Sequence, residues 1–119
     1  MERCVLEGGH RLKGRVKPAG NKNEALPVLA ATLLTDEPVT LRNLPRISDV
    51  GVMLELLRRL GVDVHDGGDE GVTLTPRDVS GPRLDRELCR LIRASILLAG
   101  PVLARLGEVL LPPPGGDVI

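Results

Sequence analysis

No phenylalanine, tyrosine or tryptophan occurs anywhere in the 119 residues, so the chain offers no aromatic platform on which a nucleobase could stack. Excess charge is missing too. Sixteen Lys and Arg balance 16 Asp and Glu, which leaves no electrostatic footprint for nucleic acid. Cysteine is scarce: Cys4 and Cys89 make a poor disulfide framework. They read instead as reduced thiols of a cytoplasmic protein, both packed among apolar neighbours. Long hydrophobic runs are lacking as well. The stretch from Ala94 to Leu106 carries one charge, Arg105, and is too short to span a membrane. The charged N-terminus Met1-Glu2-Arg3-Cys4-Val5-Leu6-Glu7 does not read as a secretory signal.

What remains is aliphatic. The 42% hydrophobic content comes from Leu, Val, Ile and Ala with two Cys and two Met, residues that fill a core without polar atoms. For this mass, folding buries roughly two-thirds of the unfolded surface, enough for one domain. Strand-like runs lie at Arg3–Leu6, Gly14–Lys17, Val39–Arg42, Val62–His65, Val72–Thr75 and Glu108–Leu111, several of them alternating apolar and polar residues. Three helical patterns lie between them. The first, from about Asn23 to Leu34, is apolar almost all round and predicts a buried helix; it tolerates Pro27 only in or beside its first turn. The second runs from Ser48, as N-cap, to Leu60, with Gly61 as its stop and Met53, Leu56, Leu57 and Leu60 as its apolar stripe. The third covers about Asp85 to Ala99, with Gly100-Pro101 breaking or kinking it before Val102–Leu106. Strands alternating with helices predict an α/β (α+β) fold with helices covering a sheet face, and His65 to Gly71 closes a hairpin.

Three places carry candidate chemistry. At Gly20-Asn21-Lys22-Asn23 a strand meets a helix; Gly20 suits a tight turn, and the helix N-terminus with Lys22 favours a phosphate or carboxylate. The spacing matches neither a P-loop nor a dinucleotide turn, and such a segment also serves simply to cap a helix. Arg93 lies among aliphatic residues, where a guanidinium needs a partner or a route to water and is suited to gripping an anion bidentately. Asp117 follows Pro112-Pro113-Pro114-Gly115-Gly116, a flexible loop whose tip could deliver a proton or merely form a turn. His65, Asp63, Asp66, Asp69 and Glu70 read as a solvated hairpin.

Together the motifs resemble a family. Gly14-Arg15-Val16-Lys17-Pro18-Ala19-Gly20-Asn21-Lys22-Asn23-Glu24-Ala25-Leu26-Pro27 is similar to the opening of the enolpyruvyl transferases. The similarity runs on through Asn43-Leu44-Pro45, Ser48-Asp49-Val50, Leu60-Gly61, Arg93-Ala94-Ser95-Ile96, Gly100-Pro101 and Gly115-Gly116. Enzymes of the shikimate branch tend to carry Gly-x-Lys-Ser where this chain has Gly20-Asn21-Lys22-Asn23. That favours the branch acting on UDP-N-acetylglucosamine in peptidoglycan synthesis.

The resemblance implies βαβαββ units of an inside-out α/β barrel, incomplete in this chain. Residues 1–20 would be first strands belonging to the other domain of the full-length enzyme. Residues 21–119 would form the first part of a barrel domain, with the catalytic loop at about 112–119. It further implies transfer of the enolpyruvyl group of phosphoenolpyruvate to the 3′-hydroxyl of UDP-N-acetylglucosamine, with no metal or organic cofactor, no nucleic acid and no membrane. Lys22 would be catalytic and bind phosphoenolpyruvate, Asn23 would line the substrate cleft, Arg93 would hold the UDP-sugar and Asp117 would be the general acid. Many relatives carry Cys at that last position, the thiol attacked by fosfomycin; some carry Asp. An ordinary aspartate titrates near pH ~3.9 against ~8.5 for a thiol, so its surroundings must raise it, and the implied enzyme is fosfomycin-insensitive. A second reading is non-enzymatic: an incomplete fragment that folds, self-associates through surface left exposed by missing units, and binds ligand weakly or not at all.

Overall fold

The computed structural model describes residues 3–116. Residues 3–20 carry no regular secondary structure, so the runs Arg3–Leu6 and Gly14–Lys17 are not strands here. Val5, Leu6, Leu12 and Val16 all stand in solvent, and a strand without a partner has no ladder to hold it. Cys4 is exposed with them, contrary to its expected burial, while Cys89 is buried.

Helix α1 spans Lys22–Ala31 and tightens into a 3₁₀ turn at Thr32–Leu34. It buries Ala25, Leu26, Leu29 and Ala30, but not its whole circumference. Val28 is 40% exposed and Leu34 62% exposed, so an apolar stripe faces outward where full burial was expected. Pro27 sits in the second turn rather than the first. Its missing N–H leaves the carbonyl of Asn23, four residues earlier, without a helical donor; that end of the helix is exposed to water.

Strand β1, Val39–Leu41, leads to α2, Ser48–Arg59. The N-cap of α2 is Ile47, not Ser48, and no side chain caps it. The expected stripe is correct, since Met53, Leu56, Leu57 and Leu60 are all buried. Glu55 instead pairs outward with Arg58 and Arg59. Strands β2, Asp63–Asp66, and β3, Val72–Thr75, form the hairpin. β3 is the middle strand, antiparallel to β1 on one side and β2 on the other. Val72 and Leu74 point into the core, and the Thr40 and Thr73 hydroxyls meet at 2.8 Å.

The third helical region breaks early. α3 covers Arg86–Leu91, capped by the Asp85 side chain on the Leu88 N–H. Ile92 is extended, Arg93–Leu98 is 3₁₀, and α4 runs Ala99–Leu106 straight through Gly100-Pro101. The expected break at Gly100-Pro101 is therefore misplaced: Pro101 lies in the first turn of α4, where its absent N–H costs nothing. The expected strand Glu108–Leu111 shrinks to a single bridge between Arg83 and Leu110.

Burial raises the Cys89 thiol above its ordinary range, only partly offset by a hydrogen bond from Ser95. A thiol reagent should therefore titrate the exposed Cys4 quickly and leave Cys89 unreacted until the chain is unfolded. Two equal fast phases in native buffer would contradict this burial.

No helix among the described residues is long and apolar enough to cross a membrane.

Candidate functional site

Two clusters carry the residues singled out above. The first is the N-terminal end of α1. Gly20 is needed for close approach rather than for a tight turn: a Cβ there would overlap the backbone oxygen of Asn43, which itself adopts a positive φ of 58°. Asn21 caps the helix, its side-chain oxygen accepting from the Asn23 N–H at 2.7 Å. Lys22 and Asn23 are thus the first two helical residues, both exposed at the positive end of the helix dipole. The Lys22 ammonium donates to Asp49 Oδ2 at 3.0 Å. Asp49 lies in the first turn of α2, 27 residues away in sequence. Sequence reasoning noted Asp49 only as part of a motif, because nothing local in the chain announces that two helix N-termini will meet.

The second cluster is the elbow between α3 and the 3₁₀ segment that begins at Arg93. Breaking the helix at Ile92 orphans the last carbonyls of α3. The buried Ser95 hydroxyl takes up the Ile92 carbonyl at 3.1 Å and reaches that of Cys89 at 3.4 Å. The Gly115 N–H donates to the same Cys89 carbonyl at 3.0 Å. Gly115 lies so close that a Cβ would overlap the Arg90 carbonyl. One at Gly116, where φ is +91°, would fall 2.8 Å from the Arg93 nitrogen. The Gly-Gly pair is thus seated against the backbone that carries Arg93, where a freely flexible loop was expected. The expected general acid, Asp117, lies outside the described residues.

The structure accordingly brings the loop stem to Arg93 and Asp49 to Lys22. The two clusters belong to packed neighbours, since α1 lies against the 93–98 segment. A small cleft of about 250 Å³ opens beside the α1 N-terminus, lined by Gly20, Asn21, Glu24, Val28, Asn43 and Pro45. A wider one of about 970 Å³ lies next to it, with Lys17, Arg42, Arg46 and Arg58 on its wall facing Asp66 and Asp69.

In that cleft Arg46 grips Asp66 through both oxygens, at 3.1 and 3.3 Å. The Arg46 hydrogen bond, with help from the Gly68 N–H, holds the Asp66 carboxyl below its ordinary range. Its contribution is therefore complete above about pH 4 and fades as acid carries the pH down through the lower native value. The pair is exposed, so salt should weaken it. An NMR titration should find Asp66 titrating below a free aspartate, and this difference should shrink in 1 M salt.

The sequence model of EPSP synthase (3-phosphoshikimate 1-carboxyvinyltransferase) matches residues 6–118. The chain belongs to this family. EPSP synthase-family relatives include the UDP-N-acetylglucosamine 1-carboxyvinyltransferase of Bradyrhizobium diazoefficiens, 55% identical over 97% of this chain and 27% of its own length. Another protein of that name, from Treponema denticola, is 44% identical over all of this chain and 28% of its own. The chain therefore spans a little over a quarter of the length of these curated relatives. Among solved structures, the enolpyruvyl transferase NikO from Streptomyces tendae superposes with a TM-score of 0.72 at 32% identity, over 84% of this chain and 23% of that one. The mixed α/β architecture expected from the sequence is thus the family's own.

Proposed function

We propose that this chain forms part of an enolpyruvyl transferase that moves the enolpyruvyl group of phosphoenolpyruvate onto the 3′-hydroxyl of UDP-N-acetylglucosamine and releases phosphate. The observation that carries the reading is the 55% identity to the Bradyrhizobium protein across nearly the whole chain. The exposed Lys22-Asn23 pair at the positive end of α1 supports it. In this reading Lys22 offsets the charge of the phosphoryl and carboxylate groups, as preorganised electrostatic stabilisation. Asn23 lines the cleft beside it, and Arg93 takes the sugar nucleotide. Asp117 delivers a proton to C3 of phosphoenolpyruvate while the sugar hydroxyl oxygen attacks C2. The hydroxyl proton passes to a base; a proton then returns from C3 to the Asp117 carboxylate, the C2–C3 double bond reforms and the C–O bond to phosphate breaks. The compartment is the cytoplasm, the step is the first committed one of peptidoglycan synthesis, and Asp117 makes the enzyme insensitive to fosfomycin.

Residues 1–20 belong, on the same reading, with strands of another domain, and the described part of that segment, residues 3–20, carries no regular secondary structure here. Residues 21–119 begin the barrel domain. The test is phosphate release from phosphoenolpyruvate that depends on UDP-N-acetylglucosamine. It is run with the 119-residue chain and with that chain joined to the remainder of the Bradyrhizobium protein. Turnover by the joined protein, lost in Lys22→Met, supports the proposal; turnover independent of the sugar nucleotide refutes it.

A second reading is favoured by one observation. Val28, Leu34, Ile96 and Leu103 expose apolar surface on α1, its 3₁₀ extension, the 93–98 segment and α4, which invites association. On this reading the chain alone is catalytically incomplete and self-associates. Sedimentation at rising protein concentration should then show species larger than 12.7 kDa, and no phosphate release.

A further inference from the structure

We propose that Asp49 is an internal counter-ion that parks the Lys22 ammonium and weakens the site's hold on free phosphate. The inference rests on the anion-binding reading of Lys22 and adds to it a residue that sets how tightly that anion is kept. Lys22 Nζ and Asp49 Oδ2 are 3.0 Å apart, with side chains 49% and 33% exposed, so an arriving anion can reach the ammonium without unfolding anything.

Two features make Asp49 a competitor as well as a support. It occupies the first turn of α2, which sets its carboxylate directly against the Lys22 ammonium. Its ion pair neutralises Lys22, and Glu24 in the first turn of α1 adds a further carboxylate, so a phosphate that approaches Lys22 meets no net positive side-chain charge. Its attraction to the ammonium is largely cancelled by repulsion from a carboxylate only a few ångströms farther away. Phosphate is the product of the proposed transfer. A site that gripped it with a bare ammonium would be slow to empty, whereas here Asp49 takes Lys22 back as the phosphate leaves.

The test is an NMR titration of the 119-residue chain with inorganic phosphate, followed at the amides of Asn23 and Glu24 at low ionic strength. Asp49→Asn keeps the size and polarity of the side chain and removes the charge; it should tighten phosphate binding by about 3- to 10-fold. Asp49→Glu restores the competitor and should bind like wild type, and Lys22→Met should bind more weakly than either. A merely structural role for Asp49 would loosen binding or leave it unchanged on removal, so the sign of the effect is diagnostic. Unchanged or weaker binding in Asp49→Asn, or tighter binding in Asp49→Glu, overturns the inference while leaving Lys22 as the anion's partner if Lys22→Met still loses affinity. Equal binding by Lys22→Met and wild type, or none by any variant, overturns both the inference and the reading beneath it.

Discussion

Replacing Arg105 with methionine is expected to lower the stability of the chain by about 3 kcal/mol, the range for stranding buried acceptors of a charged donor. From the last turn of α4 its side chain, only 17% exposed, reaches two other stretches of chain at once, residues 33–36 and Pro76. It donates to the Leu33 carbonyl at 2.9 Å and the Thr35 carbonyl at 3.1 Å, and also to the Pro76 carbonyl and the Asp36 carboxylate. Leu33 and Pro76 are buried, so their oxygens gain no water when the guanidinium goes. The Asp36 contact adds little, because that carboxylate is mostly in solvent. Lysine should rescue only part of the loss, since one ammonium cannot fork to acceptors on both stretches as a guanidinium does. Urea denaturation of the three proteins checks the order. A methionine variant within 0.5 kcal/mol of wild type would show that the clamp contributes nothing.

Gly115→Ala should have its largest effect on the loop rather than on global stability. The added methyl would overlap the Arg90 carbonyl, and helix backbone cannot move aside as a side chain can. The loop has a cheaper way out: it lifts, breaking the bond from the Gly115 N–H to Cys89. Hydrogen exchange at the residue 115 amide should then accelerate by about 100-fold or more, while the core amides of α2 change little. If the loop carries the general acid, transfer activity in the joined protein should fall by about 100-fold as well. Gly100→Ala is the matching control. Nothing lies within 4 Å of a Cβ there, so alanine should stabilise α4 by about 0.5–1 kcal/mol. Unchanged protection at residue 115 in the first variant would mean that the loop is not seated on the elbow.

Periodicity served well where one chain segment decides its own fate. The α2 stripe, the β2–β3 hairpin and the alternation of Val72 and Leu74 were all legible, because burial on one face writes itself into spacing. What failed depended on neighbours. Arg3–Leu6 and Gly14–Lys17 have strand patterns but no partner here. α1 reads as buried all round, yet Pro27, Val28 and Ala31 are exposed. Gly100-Pro101 looked like a helix breaker, whereas the actual break at Ile92 is set by Ser95 and Gly115 waiting for the freed carbonyls. At the candidate site, Lys22 and Arg93 stand out in the sequence by their surroundings, and Asn23 only through the family resemblance. Asp49 was not singled out, because its meeting with Lys22 depends on how two helices pack.

The strand order carries a consequence for synthesis. β1 and β2 each pair with β3 and not with each other, and β3 is the last of the three to be made. A growing chain that has emerged only as far as Gly71 holds two unzipped strands, and no sheet exists until Val72–Thr75 leaves the ribosome. The segments of α1 and α2, 10 and 12 residues long and marginal as isolated helices, therefore have no sheet to pack against until this four-residue segment arrives. A pause just before Val72 prolongs the interval in which β1 and β2 have no strand to pair with.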